Sequence, residues 1–123
     1  VNVTPNELAG ITALHEQMLS ISDTADAVTY FEVDMKFHRQ ITAASHNVSL
    51  IDTHNSYVAR LWRPRFLAAS LRSDRPRVLR QHGDIVRALH LRDMALLGAE
   101  IESHMRHLVL NITDIYEKPR QIA

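Results

Sequence analysis

A carboxylate and an imidazole stand four residues apart in the segment DMKFHRQITAASHN, residues 34–47, as Asp34 and His38. Residues four apart share one face of a helix. The side chains that a helix would place around this pair are mostly apolar: Ala27, Tyr30, Phe31, Phe37, Ile41 and Ser45. Because an unpaired charged group is costly to bury, the pattern indicates that Asp34 and His38 share a partner or a ligand.

Two further histidines, His82 and His104, each lie near the centre of an apolar face on two other predicted helices. Helices in a bundle turn such faces toward one another, so these imidazoles and the Asp34–His38 pair could meet at one interior point. Neutral imidazole nitrogens and a carboxylate oxygen suit Zn²⁺, Ni²⁺, Co²⁺ or Mn²⁺. Coordination would also replace the hydration that the buried groups lose.

The residues alone leave other interpretations open. A single histidine on an apolar face is commonly a core residue with a hydrogen-bond partner, and His54 and, more loosely, His15 also lie on apolar faces. The Asp34–His38 pair could instead be an acid–base dyad, although no matching nucleophile or oxyanion-hole motif accompanies it. The motifs GxSxG, HExxH, GxGxxG and the P-loop are absent.

The composition restricts the class of protein. The 123 residues suffice for one domain with a core, and 46% hydrophobic residues with three glycines are typical of a globular chain. Lys plus Arg and Asp plus Glu number 14 each, which argues against direct nucleic-acid binding by this domain. The absence of cysteine excludes disulfides and thiolate ligands. No apolar run approaches the roughly 18 residues of a membrane span, so we expect no membrane association and a cytoplasmic location.

The hydrophobic pattern predicts an all-α protein, because apolar residues recur at helical spacing and period-two alternation is nowhere sustained. Five helices are expected: from a Thr4–Pro5–Glu7 capping box to about Ser20, from a Ser22 or Asp23 cap to about Ser45, from Asn47 to about Leu61 with a kink or break at Pro64, over about 76–90, and from an Asp93 cap to about Tyr116. Ile115 is expected on the apolar face of the last helix, and residues 72–76 are expected to form a loop.

The motifs resemble the C-terminal effector domain, often called the FCD domain, of GntR-type bacterial transcription regulators. The family pattern runs D-x-x-F-H-x-x-[IL]-x-x-A-[SA]-x-N, then H-x-x-[IL]-x-x-A-[IL]-x-x-x-D, and ends in H-[LM]. The matching residues are Asp34, Phe37, His38, Ile41, Ala44, Ser45, Asn47, His82, Ile85, Ala88, Leu89, Asp93, His104 and Met105. The separations of 44 residues from His38 to His82 and 22 from His82 to His104 are also those of the family.

The resemblance implies an antiparallel helical bundle with a central metal and ligand cavity. It implies that residues 1–123 form one effector-binding and dimerisation domain, in which Asp34, His38, His82 and His104 hold a divalent metal ion and a small organic acid completes the coordination. Asn47, which also suits a helix cap, would hydrogen-bond the effector or a metal-bound water. A homodimer is expected, with DNA bound through a winged helix-turn-helix domain. That domain and the family's first helix are not contained in these residues.

Other polar residues are expected in lesser roles. His54 and Arg65 are candidates for supporting or lining the pocket, and most remaining arginines read as solvated surface: Arg60, Arg63, Arg72, Arg75 and Arg77. The leading interpretation is therefore a ligand-sensing regulatory domain rather than an enzyme. A mononuclear metal-dependent enzyme that uses the same four ligands and a ligand-free helical dimerisation module remain the alternatives.

Overall fold

A computed structural model describes residues 3–70 and 74–117, without the side chains of residues 115 and 116. Within these ranges the chain forms six helices and no strand: α1 Pro5–Ile21, α2 Ala27–Ala43, α3 Val48–Arg60, α4 Trp62–Ala69, α5 Arg75–Leu91 and α6 Met94–Glu117. The prediction of an all-α bundle is confirmed. Arg72 and the side chain of Ile115 lie outside the described residues. None of the described helices is long and apolar enough to cross a membrane.

The helix caps explain where the helices begin. The backbone N–H of Glu7 donates to the Thr4 hydroxyl and the N–H of Thr4 donates to the Glu7 carboxylate, so the predicted capping box is present. The predicted cap of α2 at Ser22 or Asp23 is wrong, because the N–H of Thr29 donates to Asp26 at 2.7 Å. Ser22 is instead the C-cap of α1. The α2 helix ends at Ala43, two residues before the expected end.

The expected break near Pro64 falls three residues earlier, at Leu61. Leu61 leaves helical geometry with φ −104° and ψ 15°, and α4 begins at Trp62. Pro64 therefore lies in the first turn of α4, where backbone N–H groups have no intrahelical acceptor and the missing proline N–H does no harm. The chain therefore forms a separate short helix that contains Pro64 and Arg65, rather than one long helix with a kink.

The interior is built from pairs of neighbouring helices. The α1 helix packs on α2 and α5, α5 packs on α6, and α4 lies against α2 and α6. The main core contains Ile11, Met18, Tyr30, Phe37 and Ile85, each at most 2% exposed. A smaller cluster of Phe31, Met35 and Val58 joins α2 to α3, with Phe66 of α4 packed against it. Asp34 and His38 are buried on α2, the helix that contributes residues to both clusters.

Some of the arginines that were expected at the surface are buried or half-buried. Arg60 and Arg63 are exposed as expected, whereas Arg75 is 3% exposed and is therefore not a surface residue. Its Nη1 donates to the carbonyls of Ser22 at 2.7 Å and Ala25 at 3.0 Å, and its guanidinium lies 4.2 Å from the centre of the Tyr30 ring. Arg75 thus joins the start of α5 to the α1–α2 turn. Arg77 is half-buried and lines an internal cavity, so it too departs from the surface assignment.

Arg75→Met should lower the free energy of unfolding by about 2 kcal/mol, because two carbonyls lose a charged donor and the contact with the Tyr30 face is lost. Urea unfolding followed by circular dichroism measures the change. The control is Arg63→Met, an exposed position where we expect a change within about 0.5 kcal/mol. Equal effects of the two substitutions would contradict a structural role for Arg75.

Candidate metal and effector site

Three helices bring the four singled-out polar residues together. Asp34 and His38 lie one turn apart on α2, His82 lies in the middle of α5, and His104 lies in the middle of α6. All four are buried, with exposures of 7% for Asp34, 7% for His38, 0% for His82 and 6% for His104. Each sits on the apolar face that turns its helix inward, which is why residues far apart in the sequence meet here.

The distances define a compact cluster. One ring nitrogen from each of His38, His82 and His104 falls within a group whose members all lie within 4.8 Å of one another. Nε2 of His38 is 3.1 Å from Nε2 of His104. Oδ1 of Asp34 is 3.3 Å from Nδ1 of His38 and 3.4 Å from Nε2 of His82. The carboxylate thus adjoins two of the three imidazoles.

A glutamine that the sequence reasoning missed orients one of the histidines. Gln81 is 9% exposed, and its Oε1 accepts from Nδ1 of His104 at 2.9 Å. A neutral His104 that donates through Nδ1 has its lone pair on Nε2, the nitrogen that faces His38. The amide nitrogen of Gln81 lies 2.8 Å from Nδ1 of His107, which is also 2.9 Å from the carbonyl oxygen of Ser103. Apart from its place beside His82, no sequence pattern signals Gln81.

Arg65 also reaches the cluster. The residue is 9% exposed, and its Nη2 lies 3.5 Å from Nδ1 of His38, while its Nε is buried without a hydrogen-bond partner. The short α4 helix packs against α2 and α6 and so carries the guanidinium inward. Its sequence-based assignment as a supporting or pocket-lining residue agrees with this position, and the structure adds that its charge is buried.

Burial dominates the electrostatics of the cluster. It raises the pKa of Asp34 from 3.8 to about 7, although the nearby Arg65 acts in the opposite direction. Burial also lowers the pKa of His104 to about 4 and holds the pKa values of His38 and His82 well below 6.5. The positive charges of neighbouring groups add to the lowering. The three imidazoles are therefore neutral at pH 7 and have lone pairs available.

Several polar atoms of the cluster lack hydrogen bonds within the described part of the chain. These atoms are Oδ1 of Asp34 and both ring nitrogens of His82, all fully enclosed. Buried polar atoms almost always have partners, so orphaned ones need a physical reason. A cation among these residues supplies one for Oδ1 of Asp34 and for one ring nitrogen of His82, since it would bind a lone pair of each. The donor set of imidazole and carboxylate suits a borderline divalent metal.

Two cavities border the cluster. One, of about 40 Å³, is lined by five apolar residues and eight polar ones, and the polar ones include Asp34, His38, Arg65, Arg77, Gln81 and His104. The other, of about 480 Å³, is lined mainly by apolar residues of α2, α5 and α6, with Leu50 and His54 of α3. His38 and His104 line both cavities. These two histidines thus separate a small polar space from a larger apolar one.

The remaining sequence candidates lie at the periphery. Asn47 is exposed, and its Oδ1 accepts from the backbone N–H of Leu50 at 3.1 Å, as expected for the cap of α3. It lines neither cavity that borders the cluster. His54 is half-buried and lines the apolar cavity, and burial lowers its pKa. The structure therefore brings together Asp34, His38, His82 and His104, but does not bring Asn47 to them.

Comparison with known families identifies the domain. The sequence profile of the FCD domain matches residues 1–107, most of the chain. The chain belongs to the FCD domain family. FCD domains are the C-terminal effector-binding domains of GntR-family regulators, proteins that are typically dimeric and bind DNA. No curated protein and no solved structure gives a significant match to the chain.

The metal-free FCD domain should lose stability as the pH falls from 6.5 toward 5. The buried histidines have lowered pKa values when folded, so unfolding binds protons below pH 6.5 and their stabilising contribution is lost there. Asp34 has the opposite effect on stability. Because its pKa is raised to about 7 in the folded state, the folded form binds a proton as the pH falls through about 7, and this increases stability. Three histidines outweigh one carboxyl, which leaves a net uptake of about two protons on unfolding near pH 5.

Urea unfolding of chelator-treated protein at several pH values measures this dependence. His82→Leu should reduce the pH slope by about one proton, whereas His90→Ala, at an exposed position on the same helix, should leave it unchanged. A flat stability profile between pH 6.5 and 5 would show that the buried histidines do not titrate as their burial requires.

Proposed function

We propose that this FCD domain is the ligand-sensing part of a GntR-type regulator and binds a small organic acid through a divalent metal ion. Asp34, His38, His82 and His104 would hold the ion, which would be Zn²⁺, Ni²⁺, Co²⁺ or Mn²⁺. The observation that carries the proposal is the convergence of three buried histidines from three helices on one point, beside a buried carboxylate. Such a site would form only when the helices are packed together.

The spacing of two histidines supports shared coordination. Two nitrogens that bind one zinc ion at about 2.0–2.1 Å lie roughly 3.0 Å apart at right angles and roughly 3.4 Å apart in tetrahedral geometry. The 3.1 Å between Nε2 of His38 and Nε2 of His104 falls between these values. Gln81 leaves the His104 lone pair on the correct nitrogen, as supporting hydrogen bonds around metal ligands commonly do.

The acid would bind where the cluster meets the polar cavity. A bound cation would supply a Lewis-acid centre that attracts and orients a carboxylate. Arg65 contributes a buried positive charge beside His38, and burial excludes water that would weaken these contacts. Asn47 would contact the acid only if the start of α3 moved inward, since its side chain caps that helix at the surface.

The domain would transmit binding through its helices. The proposed ligands come from α2, α5 and α6, so an occupant of the site would bias the relative positions of these helices. In the full regulator, a cytoplasmic homodimer, this change would reach DNA through a separate N-terminal domain. Enzymatic catalysis has less support, because Asp34 is the one carboxylate that lines the polar cavity among the described residues, and its proposed role as a metal ligand leaves no carboxylate there to act as a general base.

Protein purified without added metal or a histidine tag should contain about one divalent ion per chain, measured by elemental analysis. His82→Ala and His104→Ala should each remove most of it, and Asp34→Ala should weaken binding. Gln81→Met should lower the affinity by roughly 10- to 100-fold, the usual effect of removing a hydrogen bond to a ligating histidine. His90→Ala, at an exposed histidine, is the matched control. A chelated protein that takes up none of these four ions under native conditions would refute the metal site.

Small organic acids should raise the melting temperature of metal-loaded protein. A ligand that binds only the folded state adds about 2.7 kcal/mol at a hundredfold excess over its Kd. A thermal-shift screen of mono-, di- and hydroxycarboxylates measures this, and chelation or His104→Ala should remove most of the shift. Equal shifts with and without metal would place the acid away from the histidines. The absence of any shift would favour a ligand-free dimerisation module.

A further inference from the structure

Two arginine side chains, Arg65 and Arg77, border the polar cavity in addition to the histidine cluster. Arg65 is 91% buried, because its exposure is 9%, and its Nε has no hydrogen-bond partner. Arg77 lines the same cavity, and its Nε is also buried without a partner, although its Nη2 lies 3.6 Å from Oδ2 of Asp74. Two guanidinium groups therefore border a space that also touches Asp34, His38 and His104.

The charges can be counted group by group. The positive charge of Arg65 is balanced by Asp34 when that carboxyl is ionised, as it would be on a metal ion, and Arg77 has Asp74. The three imidazoles are neutral. A divalent ion at the cluster would then leave two positive charges without compensation in a buried site, and uncompensated buried charge is strongly unfavourable. An occupant with two negative charges restores neutrality, whereas a monocarboxylate leaves one charge unbalanced.

The two cavities differ in which occupant they fit. Among the described residues, the side chains that line the apolar cavity include no lysine or arginine, so they offer a second carboxylate no permanent positive charge. The polar cavity holds about 40 Å³, room for about three water molecules at roughly 10–15 Å³ each. Even oxalate, the shortest dicarboxylate, has six non-hydrogen atoms, so the side chains that line this cavity would have to move apart to admit it, and they would move least for a short acid. A planar guanidinium also binds a carboxylate through two parallel hydrogen bonds.

We propose that the effector is a short dicarboxylate of two to four carbons, with one carboxylate at the histidine cluster and the other on Arg65, next to Arg77. The inference rests on the proposed function and specifies its ligand. It makes Arg65 the residue that distinguishes a dicarboxylate from a monocarboxylate of equal length.

Titration calorimetry on the metal-loaded protein tests the proposal with acids paired by length: malonate against propionate, and succinate against butyrate. The dicarboxylate should bind about tenfold more tightly or better in each pair, the effect of one added charged hydrogen-bonding contact. Arg65→Gln should abolish this preference while retaining the bound metal, as measured by elemental analysis. Arg65→Lys should restore part of it, and Arg63→Gln, at an exposed neighbouring position, should change nothing.

The outcomes separate this inference from the proposed function. Equal affinity for both acids of a pair, or a preference that survives Arg65→Gln, overturns the dicarboxylate alone. Affinity that rises with alkyl length also overturns it, because the acid then occupies the apolar cavity. Dicarboxylate binding that needs Arg65 but not the metal supports the arginine subsite and overturns the metal-dependent mechanism. Binding of none of these acids overturns the dicarboxylate, and the proposed function is then decided by the wider thermal-shift screen. If Arg65→Gln does not fold, the wild-type acid pairs and Arg77→Gln decide the question, and Arg77→Gln should weaken dicarboxylates more than monocarboxylates.

Discussion

The withdrawal of one carboxyl and three imidazoles from water is the constraint on which the interior of this domain depends. These groups occupy positions on the inner faces of α2, α5 and α6 where aliphatic side chains would pack without any polar partner. Burial suppresses their charges, because it raises the pKa of Asp34 to about 7 and holds the pKa values of the histidines well below 6.5. The same burial that makes them costly keeps the imidazoles neutral, the form in which they can bind a metal.

The surrounding residues hold the cluster in a fixed arrangement. The Phe37 ring stacks on His82 with ring centres 4.3 Å apart, and Gln81 fixes the orientation of His104. Arg65 lies on α4, the short helix that begins at Trp62, and its guanidinium contacts the ring of His38. Because each contact comes from a different helix, the cluster has its observed geometry only when the bundle is assembled. Any occupant of the site would therefore add its binding energy to the stability of the whole domain.

The fold was predictable where the sequence pattern is local and periodic. Helical spacing places Phe37, His38 and His82 inward, and the Thr4, Asn47 and Asp93 caps appear as expected. The cap of α2 was assigned wrongly, because Ser22, Asp23 and Asp26 are all chemically suitable and only the packing of the α1–α2 turn selects among them. Arg75 and Gln81 were missed for a related reason: their burial depends on carbonyl and imidazole groups that are distant in sequence.

The contact between His38 and His104 shows why a cation suits this arrangement. Two neutral imidazoles with Nε2 atoms 3.1 Å apart need a proton between them, since two facing lone pairs repel. Gln81 accepts the only proton of neutral His104, so without metal His38 must donate through Nε2. Nδ1 of His38 is then an acceptor, which suits Arg65 but faces Oδ1 of Asp34 at 3.3 Å. A negative Asp34 would disfavour this tautomer, and burial already favours the protonated carboxyl by raising its pKa. If His38 instead ligates through Nε2, its proton moves to Nδ1 and can be donated to Asp34. The metal-free cluster therefore favours a protonated Asp34, whose hydroxyl can donate to Nδ1 of His38, whereas metal coordination favours an ionised Asp34 that accepts from the same nitrogen.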